Sequence, residues 1–127
     1  MSDIEHILVP GAAPPAGHYS PATAWRDLVF VSGQLPVRPD GTHTVDQPFD
    51  VQARQVLANL FAVLAAAGSS PERVLKVTVY VADISHWPAF NRLYAEAFGE
   101  ARPARAVVPV PELHHAYLVE VEAIAAR

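Results

Sequence analysis

The chain has 127 residues, enough for one domain with one core and too few for two. Hydrophobic residues make up 51% and charged residues 17%, which excludes a disordered chain or interaction tail, and the net charge of -4 with a pI of about 5.8 gives no pull toward phosphate backbones or anionic lipid. Cysteine is absent, so disulfides, thiolate nucleophiles and cysteine-containing zinc sites are excluded.

Met1 to Glu5 carry acids rather than a basic leader, and the apolar stretch that follows is broken by prolines and Gly11. The longest apolar run, around Leu57 to Gly68, is interrupted by Asn59 and falls short of the roughly 20 residues a membrane helix needs. One cytoplasmic unit spanning 1–127, with no membrane and no nucleic-acid partner, is the expectation.

In chain order, Leu28 to Ser32 is rich in β-formers, and Trp25-Arg26-Asp27 predicts a hairpin turn ahead of it. Pro36, Pro39 and Asp40-Gly41 mark an exposed loop reaching to about Pro48. From Asp50, a suitable N-cap, Val56, Leu57, Leu60, Leu64 and Ala67 share one helical face, with Gln52, Arg54, Gln55 and Asn59 elsewhere and Gly68 closing the helix. Val74 to Val81 alternates, placing Leu75, Val77, Val79 and Val81 on the apolar face of a half-buried strand. Ser85 to Phe98 predicts a second amphipathic helix through Trp87, Phe90, Asn91, Tyr94 and Phe98, with Pro88 in its first turn and Gly99 at its end. Two last strands, about Ala104 to Val110 and Ala116 to Ala125, are joined by Pro111 to His115 as a predicted hairpin. The fold class is α+β, a mixed sheet with both helices on one face.

Glu120 and Glu122 share a face of the last strand, about 7 Å apart, which leaves open solvent exposure, a salt bridge to Arg102 or Arg105, or catalysis. Arg105, among Ala104, Ala106, Val107 and Val108, must find an anion or water; its planar fork suits a substrate carboxylate, and an ion pair with Glu120 or Glu122 is the alternative. In the predicted hairpin it falls opposite Glu120 or Val121, according to register. The histidines show no ligand spacing, so no metal is expected. His114-His115 lie in the turn, where either solvated or functional side chains occur. Ser32 lacks a nucleophile elbow, and phosphate-cradling glycine loops are missing.

An ordered set of segments carries a resemblance. It runs Gly17-His18-Tyr19-Ser20, Val29-Phe30-Val31-Ser32-Gly33-Gln34, Gln52 to Leu60, Ala66-Ala67-Gly68, Val77 to Asp83, Asn91-Arg92-Leu93-Tyr94, Pro103-Ala104-Arg105 and Val119 to Ala125. From about residue 10 onward the chain resembles the RidA/YjgF family, also called endoribonuclease L-PSP. The resemblance implies a chorismate-mutase-like fold, a homotrimer whose sheets form a central barrel, and ligand clefts between subunits. It implies an enamine or imine deaminase without a cofactor, acting on 2-aminoacrylate- or 2-aminocrotonate-type acids to release 2-keto acids and ammonia. Arg105 then matches the carboxylate-holding arginine, Glu120 the residue that handles water and protons, and Tyr19, Ser32 and Asn91 other cleft residues. The chain departs from the family pattern at Val107, where cysteine is common, at His114, where proline is, and at Pro21, where glutamine is. His114 thus becomes a candidate substrate-binding residue, and thiol-dependent regulation is excluded. A non-catalytic trimer binding small carboxylates or a protein partner through the same clefts is the alternative; a ribonuclease is disfavoured by the acidic balance.

Overall fold

In the computed structural model, which describes residues 3–127, the β-rich front of the chain forms three antiparallel strands. They are β1 (Glu5–Ile7), β2 (Ala22–Trp25) and β3 (Leu28–Gln34), with Arg26 left-handed at φ 54° in the predicted hairpin turn. β1 is too short to announce itself by alternation, and its Ile7 is buried while Glu5 and His6 are exposed.

Helix α1 (Phe49–Ala66) follows the loop, and Val56, Leu57, Leu60, Leu64 and Ala67 are buried as the period predicts. Two expectations change here. The cap is Pro48, not Asp50; the helix starts at Phe49, so Asp50 lies in the first turn, where its charge suits the helix dipole and pairs with Arg92 at 3.3 Å. Gln52 is fully buried rather than turned outward, because its amide donates to Val45 and Gln47 carbonyls and accepts from the Leu118 N–H at 2.9 Å. Asn59 likewise donates to the Leu35 and Val37 carbonyls, so the polar residues of α1 fasten the 35–48 loop to the helix.

Strand β4 (Val74–Val81) places Val77, Val79 and Val81 in the core, but Leu75 is 49% exposed. The register against the last strand shifts between Val74 and Lys76, and that bulge throws Leu75 off the predicted face. A short 3-10 turn leads into α2 (Trp87–Phe98), with Pro88 in its first turn and Gly99 at φ 63° after its end. Strands β5 (Ala104–Pro109) and β6 (Val119–Ala126) complete a sheet of order β1-β2-β3-β6-β4-β5.

The expected β5–β6 hairpin does not form. β6 runs antiparallel between β3 and β4, while β5 lies parallel to β4 at the sheet edge, reached through the α2 crossover. A parallel neighbour needs such a crossover, and the long helix between β4 and β5 supplies it. Both helices cover one face, where Val29, Val31, Leu60, Leu64, Phe90, Leu93, Val119 and Val121 join one core. Among the described residues nothing covers the opposite face, which presents Phe30 and Ile124, cross-strand partners 43% and 36% exposed.

Gln52→Leu keeps the volume of the buried side chain and orphans the Leu118 N–H and two loop carbonyls. It should lower stability by about 2–3 kcal/mol in denaturant unfolding, and a loss under about 0.5 kcal/mol would show that these bonds contribute little.

Candidate functional site

Arg105 owes its position to the pairing Val77↔Arg105, which turns it to the helix-covered side of edge strand β5. Its Cζ lies over two rings of α2, 4.9 Å from the Trp87 centroid and 4.7 Å from that of Tyr94. Among the described residues it makes no ion pair; the ion pairs there are Arg92–Asp50 and Arg127–Glu5. Within one chain, therefore, neither Arg105 nor Arg102 neutralises Glu120 or Glu122. Asn91 is exposed on α2, four residues after Trp87 and three before Tyr94, on the same helical face. The Tyr94 hydroxyl is buried with no hydrogen-bond partner among the described residues, and burial pushes its pKa up to about 12 against the pull of the Arg105 charge.

Glu120 belongs to the other side of the sheet. It pairs with Tyr80, and Glu122 pairs with Thr78, so both carboxylates stand on the uncovered face. The Tyr80 hydroxyl donates to Glu122 Oε1 at 2.5 Å, which raises the phenol's own pKa. Partial burial, and next the charge of Glu122, raise the pKa of Glu120, while His114 acts in the opposite direction. Gly33 is adjacent: a Cβ there would run into Glu120 Oε2, so the missing side chain is what admits the carboxylate. Ser32, beside Gly33, is committed to the Ser20 carbonyl by a 2.6 Å hydrogen bond. Tyr19 is 54% exposed in the preceding loop.

His114 opens a short 3-10 turn in which His115 (φ 59°) and Ala116 (φ 62°) are left-handed. This turn lines an open cleft of about 430 Å³ with Glu112 and Leu113. His115 packs its ring 4.8 Å from His43 and 4.3 Å from His114, and desolvation, then the nearby His114 and His43, lower its pKa. His43 Nδ1 lies 2.6 Å from the Tyr117 hydroxyl, tying the 41–48 loop to this turn. No group of three metal-ligating side chains occurs among the described residues. His43, Tyr80, Trp87 and Tyr117 escaped the sequence reading, since each acts through a partner distant in the chain.

One chain thus gathers Ser32, Gly33, Glu120 and His114 on one side, and Trp87, Asn91, Tyr94 and Arg105 on the other. Arg105 does not face Glu120 or Val121, because β4 separates their strands, about 10 Å across the sheet, and the Arg105 and Glu120 side chains stand on opposite faces.

Comparison with known proteins agrees with this architecture. Residues 10–127 match the family model described as endoribonuclease L-PSP. A RutC family protein of Pyrococcus horikoshii is 43% identical over 121 residues, covering 95% of this chain and 96% of that one. RidA from an Antarctic Psychrobacter superposes with a TM-score of 0.91 at 33% identity, covering 97% and 99% of the two chains. Escherichia coli TdcF with bound serine superposes at 0.90, also 33% identical, covering 97% and 98%. The chain belongs to the endoribonuclease L-PSP family, in which the RutC and Rid proteins are its relatives. Its α+β fold is that of these neighbours, and no helix among the described residues is long and apolar enough to cross a membrane.

The raised pKa of Glu120 fixes a sign. The folded state holds that proton more tightly than the unfolded chain, so stability falls as pH rises from below the ordinary value of 4.5 through the raised one. Glu120→Gln removes that loss: the variant should melt above the parent at pH 7, with the gap closing near pH 4. A gap of the same size at both pH values would show that the shift is not the cause.

Proposed function

We propose that the protein is a cytoplasmic enamine and imine deaminase, a hydrolase whose site is completed between subunits of a homotrimer. The observation that carries this reading is an Arg105 guanidinium that no carboxylate pairs with among the described residues, with Glu120 on the opposite face of the sheet. A four-carbon acid cannot touch both residues of one chain, whereas a neighbouring copy can bring its Glu120 side against the first chain's Arg105 side. The uncovered sheet face, with Phe30, Ile124 and Val108 exposed, supports such an association. The relative described as RidA and the bound serine of TdcF, a small amino acid, also favour a small carboxylate ligand.

In this reading Arg105 grips the carboxylate of a 2-iminopropanoate- or 2-iminobutanoate-type acid through its fork, withdrawing charge from the adjacent imine carbon. Water attacks that carbon as Glu120 takes one of its protons and passes it to the imine nitrogen, which gives the carbinolamine. Glu120 then takes the carbinol hydroxyl proton and delivers it to the amine as the C=O bond forms and the C–N bond breaks, so that keto acid and ammonia leave and the carboxylate is restored. A carboxylate with a raised pKa lies closer to working pH than an ordinary one and is the better proton acceptor and donor for it. Gly33 leaves that carboxylate its room, and Tyr19, Ser32, Asn91 and His114 are the proposed lining. No step needs a cofactor or the thiol that Val107 replaces. The net charge of -4 disfavours RNA as the substrate.

Protein added to a threonine dehydratase reaction should accelerate keto acid release. Arg105→Lys should lose about 30- to 100-fold, since a point ammonium cannot replace a two-bond fork, while its sedimentation stays that of the parent. Undiminished turnover in that variant contradicts the role of Arg105. Keto acid binding without turnover of any imine would instead establish a carboxylate-binding module.

Gly33→Ala drives a methyl group into the place of the Glu120 carboxylate, the mobile end of a side chain that can swing away. Turnover should fall about tenfold or more with little change in melting temperature; full activity in this variant would show that Glu120 need not sit there.

A further inference from the structure

A half-buried arginine is ordinarily fixed by a carboxylate, which then occupies the N–H groups an incoming anion needs. Arg105 is held differently. Its Cζ lies 4.9 Å from the Trp87 centroid and 4.7 Å from the Tyr94 centroid, and no carboxylate pairs with it among the described residues. The two rings are seven residues apart on α2, about 10 Å along the axis, so a group this close to both bridges the gap between them.

Attraction to a ring acts through the π face, while the five N–H donors of guanidinium lie in its own plane. A guanidinium drawn to ring faces, with no carboxylate partner among the described residues, keeps its donor edge unspent. Tyr94 is the fixed member: it is buried, and its ring packs against Phe90 at 5.6 Å and Phe98 at 4.4 Å. Trp87, 37% exposed, is the member at the rim. The Tyr94 hydroxyl makes no hydrogen bond among the described residues, so it is the ring and not the oxygen that serves Arg105.

We propose that Trp87 and Tyr94 are positioning residues that clasp the Arg105 guanidinium between aromatic faces and keep its N–H edge unpaired for a ligand carboxylate. The ligand class rests on the deaminase reading; the clasp itself does not. Two measurements separate them. Pyruvate titrated calorimetrically into the assembled protein reads the site, and the Arg105 Nε–H resonance, displaced by ring currents, reads the clasp without ligand.

Trp87→Leu and Tyr94→Leu should each weaken pyruvate binding about tenfold and return the Nε–H resonance toward that of free arginine. Trp87→Phe and Tyr94→Phe keep a face and should stay within about threefold of the parent. A merely structural role predicts a lower melting temperature with unchanged pyruvate affinity below it, and that result overturns the proposal. So does an Arg105 resonance that shows no ring-current displacement in the parent. A displaced resonance in a parent that binds no pyruvate would overturn the deaminase reading and the purpose assigned to the clasp, while confirming its geometry.

Discussion

β4 separates the two charged residues on which the proposed chemistry rests. Its hydrogen bonds run parallel to β5 on one side and antiparallel to β6 on the other, and side chains paired across a ladder share a face. Val77 therefore takes Arg105 toward the helices, and Tyr80 takes Glu120 toward the uncovered face. Inside one subunit the two charges cannot neutralise each other. Among the described residues that separation leaves the guanidinium without a carboxylate and Glu120 without an ion pair, a poised pair that the proposed trimer joins only across a boundary.

Each half of the pair is tolerated for a local reason. Arg105 lies against π faces that attract it while leaving its donors free, and its edge strand gives it access to solvent. Glu120 is partly desolvated beside Glu122, with the Tyr80 hydroxyl taking up Glu122 and the absent side chain of Gly33 making room. Unlike the core, which is apolar and closed, this region holds groups whose charges the single chain leaves unmatched, as a site that reserves interactions for a ligand does.

Much of this was readable from residue order. The helical face of α1, the alternation of β6 and the two terminal glycines Gly68 and Gly99 follow from period and conformational preference alone. Arg105 and Glu120 stood out because a charge inside a β-rich run calls for an explanation, but solvent exposure and salt bridges stayed open, and only the family resemblance gave them site roles. What stayed hidden depends on contacts between distant segments. Adjacent strands β5 and β6 looked like a hairpin until β4 was seen between them, and with that error went the register of Arg105. Gln52 read only as lying off the apolar face of the helix, because the folded loop and the Leu118 N–H alone supply the partners that bury it. Leu75 missed its face through a bulge that no period announces. Trp87 and Tyr94 read as core aromatics, since their service to Arg105 exists only once the α2 crossover lays them beside it.

A site that borrows Arg105 from one subunit and Glu120 from the next can be tested by mixing defects. Arg105→Ala and Glu120→Gln proteins, each inactive alone, are unfolded together in equal amounts and refolded as mixed oligomers. Random assembly around a closed ring gives about a quarter of the sites an intact arginine from one chain and an intact glutamate from its neighbour. Keto acid release should return to about that fraction of the parent rate. Mixed oligomers as inactive as their parents would place both groups in one chain's site, which the sheet order described here forbids.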